Sequence, residues 1–211
     1  MSEQRDPAAL EAHYTPLALA RAIVSTLRIR PGDVVLEPHL GGGAIAEALL
    51  DAGAVVLAGD LDPQAPGKAR LLGRPGFRYL GDGDFLDALS EPRRRLQLEA
   101  RQPIMVIGNP PFSTAIDHVR AGLQVAPQVA YLLPMPFLAA DERAPLHEEH
   151  PILKWWPVCP RPSFDRGGTA RSECIVAHWL RGWGGPTVNG PYLRWQRPPL
   201  RSTRQAPGEA P

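Results

Sequence analysis

Cysteine is scarce in this chain: Cys159 and Cys174 are the two among 211 residues. Two thiols make neither a disulfide framework nor a zinc cluster, and the expectation is a cytoplasmic protein with reduced cysteines. Net charge is nearly absent too, at +1. Attraction to nucleic acid must therefore come from local arginine patches. No apolar run is long enough to cross a bilayer, so no membrane partner is expected. The first residues, Met-Ser-Glu-Gln-Arg-Asp, lack the basic-then-apolar plan of a secretory leader. Internal repeats are absent. His147-Glu148-Glu149-His150 is the one local gathering of metal-type side chains. Without a supporting cluster elsewhere it reads as a solvated helix or loop, and no metal is expected.

Proline is abundant, at 25 residues, beside 20 glycines and a hydrophobic content of 44%. This describes one domain with a sizeable core and stiff connections. Residues 1–13 are polar. Residues 17–27 are rich in Ala and Leu and predict a helix, with Thr15 as its N-cap and Pro16 at its first position. Residues 33–37, 54–59, 77–80, 104–108 and 128–133 read as five strands with helical or loop stretches between them. Residues 152–158 and 173–180 read as two more. The loop joining these last two is too short for a helical crossover, which implies an antiparallel pair. The fold class is α/β: a Rossmann-like seven-stranded sheet, mostly parallel, with an antiparallel C-terminal hairpin. The expected boundaries are a domain over 1–182 and a Pro/Gly/Arg-rich tail over 183–211, extended or partly disordered.

Chemistry-bearing residues collect after the strands. Glu37-Pro38 ends the first strand, and Gly41, Gly42 and Gly43 open the helix that follows. Strand, glycine loop and helix present backbone N–H groups to a ligand. Gly41, Gly43 and Ala46 also fit the loose dinucleotide fingerprint, so a nicotinamide enzyme must be weighed. Asp60 ends the second strand, where a carboxylate can accept both hydroxyls of a ribose. An ordinary surface Asp beside a turn would look the same. Asp84 and Phe85 follow the third strand, suited to an adenine edge and ring; Asp is also favoured there as a helix cap. Arg93-Arg94-Arg95 is a solvated run that can contact phosphate.

The decisive stretch is Ile104-Met105-Val106-Ile107-Gly108-Asn109-Pro110-Pro111-Phe112. A strand-like apolar run stops at two prolines, which bar both a ladder and a helix interior. A side-chain amide, two fixed carbonyls and an aromatic ring are thereby held rigidly at a strand's end, where open α/β sheets bind ligands.

In their order these motifs resemble the S-adenosylmethionine-dependent methyltransferases. More narrowly, residues 13–181 resemble N6-adenine DNA methyltransferases of the small phage and mobile-element type, whose Asn-Pro-Pro-aromatic turn acts on planar, conjugated nitrogens. The resemblance implies S-adenosylmethionine as cofactor. It implies that Tyr14, Thr15, Pro16, Glu37, Gly41, Gly43, Asp60, Leu61, Asp84, Phe85 and Asn109 bind that cofactor. Asn109, Pro110, Pro111 and Phe112 would form the catalytic turn. Phe112, Arg161, Ser163 and Phe164 would meet the substrate. The chain departs from the family at His39, where a small residue is common, and at Gly42, where Thr is common. It also lacks a long target-recognition segment.

An exocyclic adenine amine is a poor nucleophile because its lone pair is delocalised. Two acceptors, the Asn109 side-chain oxygen and the Pro110 carbonyl, would favour a pyramidal amine and stabilise its developing positive charge. Phe112 would stack on a flipped-out base. DNA is the expected partner. The same chemistry on RNA or on a protein glutamine, or a non-catalytic cofactor-binding protein, is the alternative.

Overall fold

A computed structural model describes residues 14–91, 97–98, 100–162 and 172–197. The seven expected strands are β1 (Val34–Glu37), β2 (Val55–Asp60), β3 (Phe77–Asp82), β4 (Met105–Gly108), β5 (Gln128–Pro134), β6 (Ile152–Cys159) and β7 (Cys174–Leu180). Two further short strands, β8 (Val188–Asn189) and β9 (Leu193–Arg194), were not expected. The sheet order is β3-β2-β1-β4-β5-β7-β6-β8, with β9 also paired to β6. The first five strands are mutually parallel. β7 lies antiparallel between β5 and β6, so the hairpin is inserted rather than simply appended.

Alternation along the strands divides the core in two, because successive side chains leave opposite faces of a sheet. Val35, Val56, Ala58, Met105, Ile107, Ala130 and Leu132 face one layer. Leu36, Leu57, Val106, Val129, Tyr131 and Leu133 face the other. Parallel strands covered on both sides need continuous apolar runs, which explains their sequence. The first layer is made by α1 (Leu17–Leu27) and α2 (Ala44–Asp51), through Leu19, Ile23, Ile45 and Leu49. The second is made by α4 (Phe85–Ser90) and α5 (Ala115–Val125), through Phe85, Leu89, Val119 and Leu123. Two short helices, α3 (Pro66–Leu71) and α6 (Ala144–Glu149), complete the connections.

β1 is the pivot. The chain winds outward from it to β2 and β3, then returns to its other side with β4 and β5. This reversal opens a crevice between the carboxyl ends of β1 and β4, where Glu37 and Gly108 end their strands.

Two expectations need correction. Pro16, not Thr15, occupies the N-cap of α1: its carbonyl accepts from the Ala20 amide at 2.9 Å and no side chain caps the helix. Proline supplies the extended cap backbone, and the Thr15 hydroxyl is turned elsewhere. The boundary at residue 183 also fails for the described part of the tail. Leu193 and Trp195 are 4% and 7% exposed within the first core layer, and the Trp195 indole donates to the Pro160 carbonyl at 2.7 Å. Low periodicity and many prolines hid a segment that pairs with β6 through only two residues at a time. Residues 198–211 lie outside the described residues.

If residues 193–195 belong to the core, Trp195→Ala should cost about 3 kcal/mol, in the range of buried aromatic truncations. Urea unfolding measures it. A loss below about 1 kcal/mol would return the segment to the surface.

Candidate active site

The crevice holds a cavity of about 440 Å³ at the carboxyl edge of the sheet. Its walls come from every strand end that carries a motif. Tyr14, Thr15, Glu37, Gly41, Gly43, Asp60, Leu61, Asp84, Phe85, Asn109 and Pro111 all line it. Pro16 and Pro110 are buried beside it without lining it. Phe112 starts a 3-10 turn and packs, half-buried, on the second core layer. Arg161 lies away from the cavity in an ion pair with Glu173 at 2.6 Å. Ser163 and Phe164 fall outside the described residues.

The glycine loop is held from two sides. The Asp60 carboxylate accepts the Gly41 amide at 2.6 Å and the Asp62 amide at 2.7 Å. The Gly67 amide, at the start of α3, donates to the Gly41 carbonyl at 2.9 Å. Gly43 has φ of +76°, and a Cβ there would lie 2.8 Å from the Gly67 Cα. Two backbones this close leave no space for a side chain on either. Across the loop lies Tyr14, whose ring would be 3.2 Å from a Cβ at Gly41.

Glu37 is 1% exposed, and its Oε2 has no hydrogen-bond partner among the described residues. Burial, and then the Asp60 charge, hold its carboxyl well above the usual carboxylate range. Burial also raises the Asp60 carboxyl, against the two amides that favour its charge. Asp84 caps α4, its Oδ1 accepting from the Leu86 amide at 2.8 Å, and lines the cavity as well. The helix-cap reading of that residue therefore describes it, and its side chain also stands in the cavity wall. On the other side, the Asn109 Nδ2 donates to the Thr15 hydroxyl at 3.5 Å. This is where the presumed helix cap is engaged, and it ties the β4 turn to the start of α1.

Two lining residues escaped the sequence reading. His39 Nε2 and His118 Nδ1 lie 3.0 Å apart, one donating and the other accepting. Burial lowers both rings from their ordinary range, helped at His39 by the facing His118. The His118 ring stacks on Phe85, with centroids 6.0 Å apart and planes 9° from parallel. The His39 ring fits because position 108 is glycine: a Cβ there would be 2.8 Å from His39 Nδ1. His39 was visible only as an unusual residue in a glycine loop. His118 carried no signal, since its partner is 79 residues away.

No protein-family model matches this chain. Among curated proteins, a ribosomal RNA small subunit methyltransferase H of Anaeromyxobacter sp. (strain K) is 51% identical over 73 residues, covering 33% of this chain. That match spans only 23% of the relative's own length. Among solved structures, a proposed RNA methyltransferase of Pyrococcus horikoshii superposes with a TM-score of 0.62 at 17% identity, covering 85% of this chain and 90% of that one. The methyltransferase subunit of a type I restriction-modification system from Streptococcus thermophilus gives 0.63 at 16%, covering 84% and 47%. The fold is that of the Rossmann-like methyltransferases. The carboxyl-edge cavity is the natural ligand position of such a sheet.

The raised Glu37 carboxyl carries a testable consequence. Between its ordinary value of 4.5 and the raised one, the folded chain keeps a proton that the unfolded chain has released. Stability attributable to Glu37 therefore falls as pH rises through that window. Glu37→Gln should be more stable than the parent at neutral pH, and the difference should vanish below about pH 4. Urea midpoints at the two pH values check the sign; equal midpoints at neutral pH would contradict it.

Proposed function

We propose that this chain is an S-adenosylmethionine-dependent methyltransferase acting on the N6 amine of adenine in DNA. The observation that carries the reading is the junction of Asn109-Pro110-Pro111-Phe112 with an acidic, glycine-cradled cavity. Among the described residues the lining includes Glu37, Asp60, Asp62 and Asp84 and no Lys or Arg. A pyrophosphate-bearing dinucleotide would be repelled by that wall, which speaks against the nicotinamide alternative. A ligand with an ammonium and a sulfonium is attracted by it. The size is also suitable, since pockets for such ligands run from about 300 to 1,000 Å³.

The residues present fit S-adenosylmethionine. The orphaned Glu37 Oε2 suits an ammonium, whose charge would also relieve the penalty of ionising that buried carboxyl. The Gly41 and Gly43 amides are already donated, to Asp60 and to the Leu40 carbonyl, so the Gly42 amide is the one proposed for a carboxylate. In this reading Asp60 and Leu61 would meet the ribose and adenine, and Asp84 and Phe85 the adenine edge and ring. When bound, the cofactor supplies an electrophilic methyl on a positively charged sulfur.

The chain's own residues then prepare the nucleophile. The Asn109 Nδ2 donates to the Thr15 hydroxyl, and in the proposed complex its Oδ1 would accept from the substrate amine. The Pro110 carbonyl is the second acceptor, fixed by the rigidity of Pro110-Pro111. Hydrogen bonds from the amine to both acceptors localise its lone pair and spread the positive charge that grows during transfer. Phe112 is the proposed stacking face for the base, and holding the ring in place removes orientational cost. In a duplex the base must be flipped out first, at a few kcal/mol.

RNA is the second reading. The match to a ribosomal RNA methyltransferase favours it, whereas the Streptococcus thermophilus neighbour is the methyltransferase subunit of a type I restriction-modification system. Labelled S-adenosylmethionine offered with DNA, RNA and protein in parallel, followed by hydrolysis and nucleoside analysis, decides among them. The expected product is N6-methyldeoxyadenosine. Label in RNA or in glutamine would move the substrate and retain the chemistry. Label nowhere, with cofactor bound, would favour the non-catalytic alternative. Asn109→Ala should cut transfer at least about 100-fold, as loss of one charge-stabilising group does elsewhere. Its cofactor affinity by calorimetry should stay within a few fold; transfer at the parental rate would sink the role given to Asn109.

A further inference from the structure

The described part of the C-terminal segment is built as an anchored strip, not as a free tail. β9 runs parallel to β6, pairing Val158 with Leu193 and Cys159 with Arg194. β6 runs antiparallel to β7, and β7 antiparallel to β5. The carboxyl ends of β6 and β9 therefore lie on the same sheet edge as the carboxyl end of β4 and the cavity. Leu193 and Trp195 point into the core, at 4% and 7% exposure. The Trp195 amide reaches the Cys159 carbonyl at 3.3 Å, and the Gly190 amide reaches the Trp155 carbonyl at 2.7 Å. These bonds and the two buried side chains fix the strip's orientation.

Its outer face is made by the alternate residues. Tyr192 is 63% exposed, and Arg194 and Gln196 are exposed with it. Arg197 shares the inward parity of Leu193 and Trp195: it is half-buried, its Nε is enclosed, and its Nη2 donates to the Arg161 carbonyl. Among the described residues, no carboxylate pairs with Arg194 or Arg197. The sequence adds to the asymmetry: from Arg181 to Gly208 there are five arginines and no acidic residue, in a chain whose net charge is +1. An aromatic ring, an arginine and an amide on the exposed side of this anchored segment form a surface for sugar-phosphate and unstacked bases. The acidic cavity and this basic strip divide the edge: one attracts a small cation, the other a polyanion.

We propose that the exposed side chains of Tyr192, Arg194 and Gln196 form a polynucleotide clamp, in which Arg194 holds a backbone phosphate of the strand whose nucleotide is presented to Asn109. The inference rests on the polynucleotide reading above. β9 lies four strand spacings from β4, or about 19 Å. At about 3.4 Å per nucleotide step, that places the clamp five or six base pairs from the reacting nucleotide.

The test measures binding of a duplex DNA and of a single-stranded RNA by the full chain across a salt series. The proteins compared are the parent, the Arg194→Ala variant, and Arg181→Ala as control. Arg181 is exposed at the opposite, amino edge, where its amide donates to the Pro127 carbonyl. Removing one phosphate contact should reduce the slope of log Kobs against log salt by about 0.9 on duplex, or about 0.7 on single strands. Cofactor affinity of Arg194→Ala should match the parent, because Arg194 does not line the cavity. Arg181→Ala should keep the parental slope. A parental slope in Arg194→Ala, or an equal loss in Arg181→Ala, overturns the clamp and leaves the polynucleotide reading intact. A parent that binds neither polymer overturns both.

Discussion

Asp60 holds the site together. Its two oxygens take the amides of Gly41 and Asp62, so the loop after β1 is bonded to the end of β2. Gly67 then closes on Gly43 from α3, backbone against backbone. Three segments separated in sequence become one wall through a single carboxylate and one pair of missing side chains. Charge-assisted bonds of this kind are roughly twice as strong as neutral ones. They are needed here, because burial works against the ionised form of Asp60. The loop is thus shaped before any ligand arrives.

The opposite wall depends on Gly108. The His39 ring fits beside the end of β4 only because nothing projects from that residue. His39 then bonds His118, and His118 stacks on Phe85. The second core layer is thereby continued up to the cavity by three rings, and the turn that begins at Asn109 sits on their edge. Burying two imidazoles is tolerable because each is held neutral and one supplies the other's hydrogen bond. The wall around Asp60 is therefore acidic and the wall around His118 is uncharged. That gradient is what makes the cavity hospitable to a cation.

Much of this architecture was legible from residues alone. The apolar runs at 33–37, 54–59, 104–108 and 128–133 can satisfy only strands buried on both faces. The short loop after β6 forced an antiparallel partner. Pro110 and Pro111 had to stop β4, whatever followed. Elsewhere local signals misled. Thr15 has the chemistry of a cap, but the hydroxyl is spent on Asn109, 94 residues away. Leu193 and Trp195 sit among glycines, prolines and arginines, and composition weighted those more heavily than two isolated apolar residues.

By itself, the sequence determined the order of elements and the strand ends at which Glu37, Asp60, Asp84 and Asn109 would stand. Hydrophobic period, proline and glycine act locally, and local constraints suffice for that. The tertiary structure decided which of these groups share one cavity, which are already engaged by backbone amides, and which neighbours complete the walls. It joined His39 to His118 and laid residues 192–197 along the carboxyl edge. Those outcomes depend on distances between segments far apart in the chain, set by strand order and by how closely two backbones can approach.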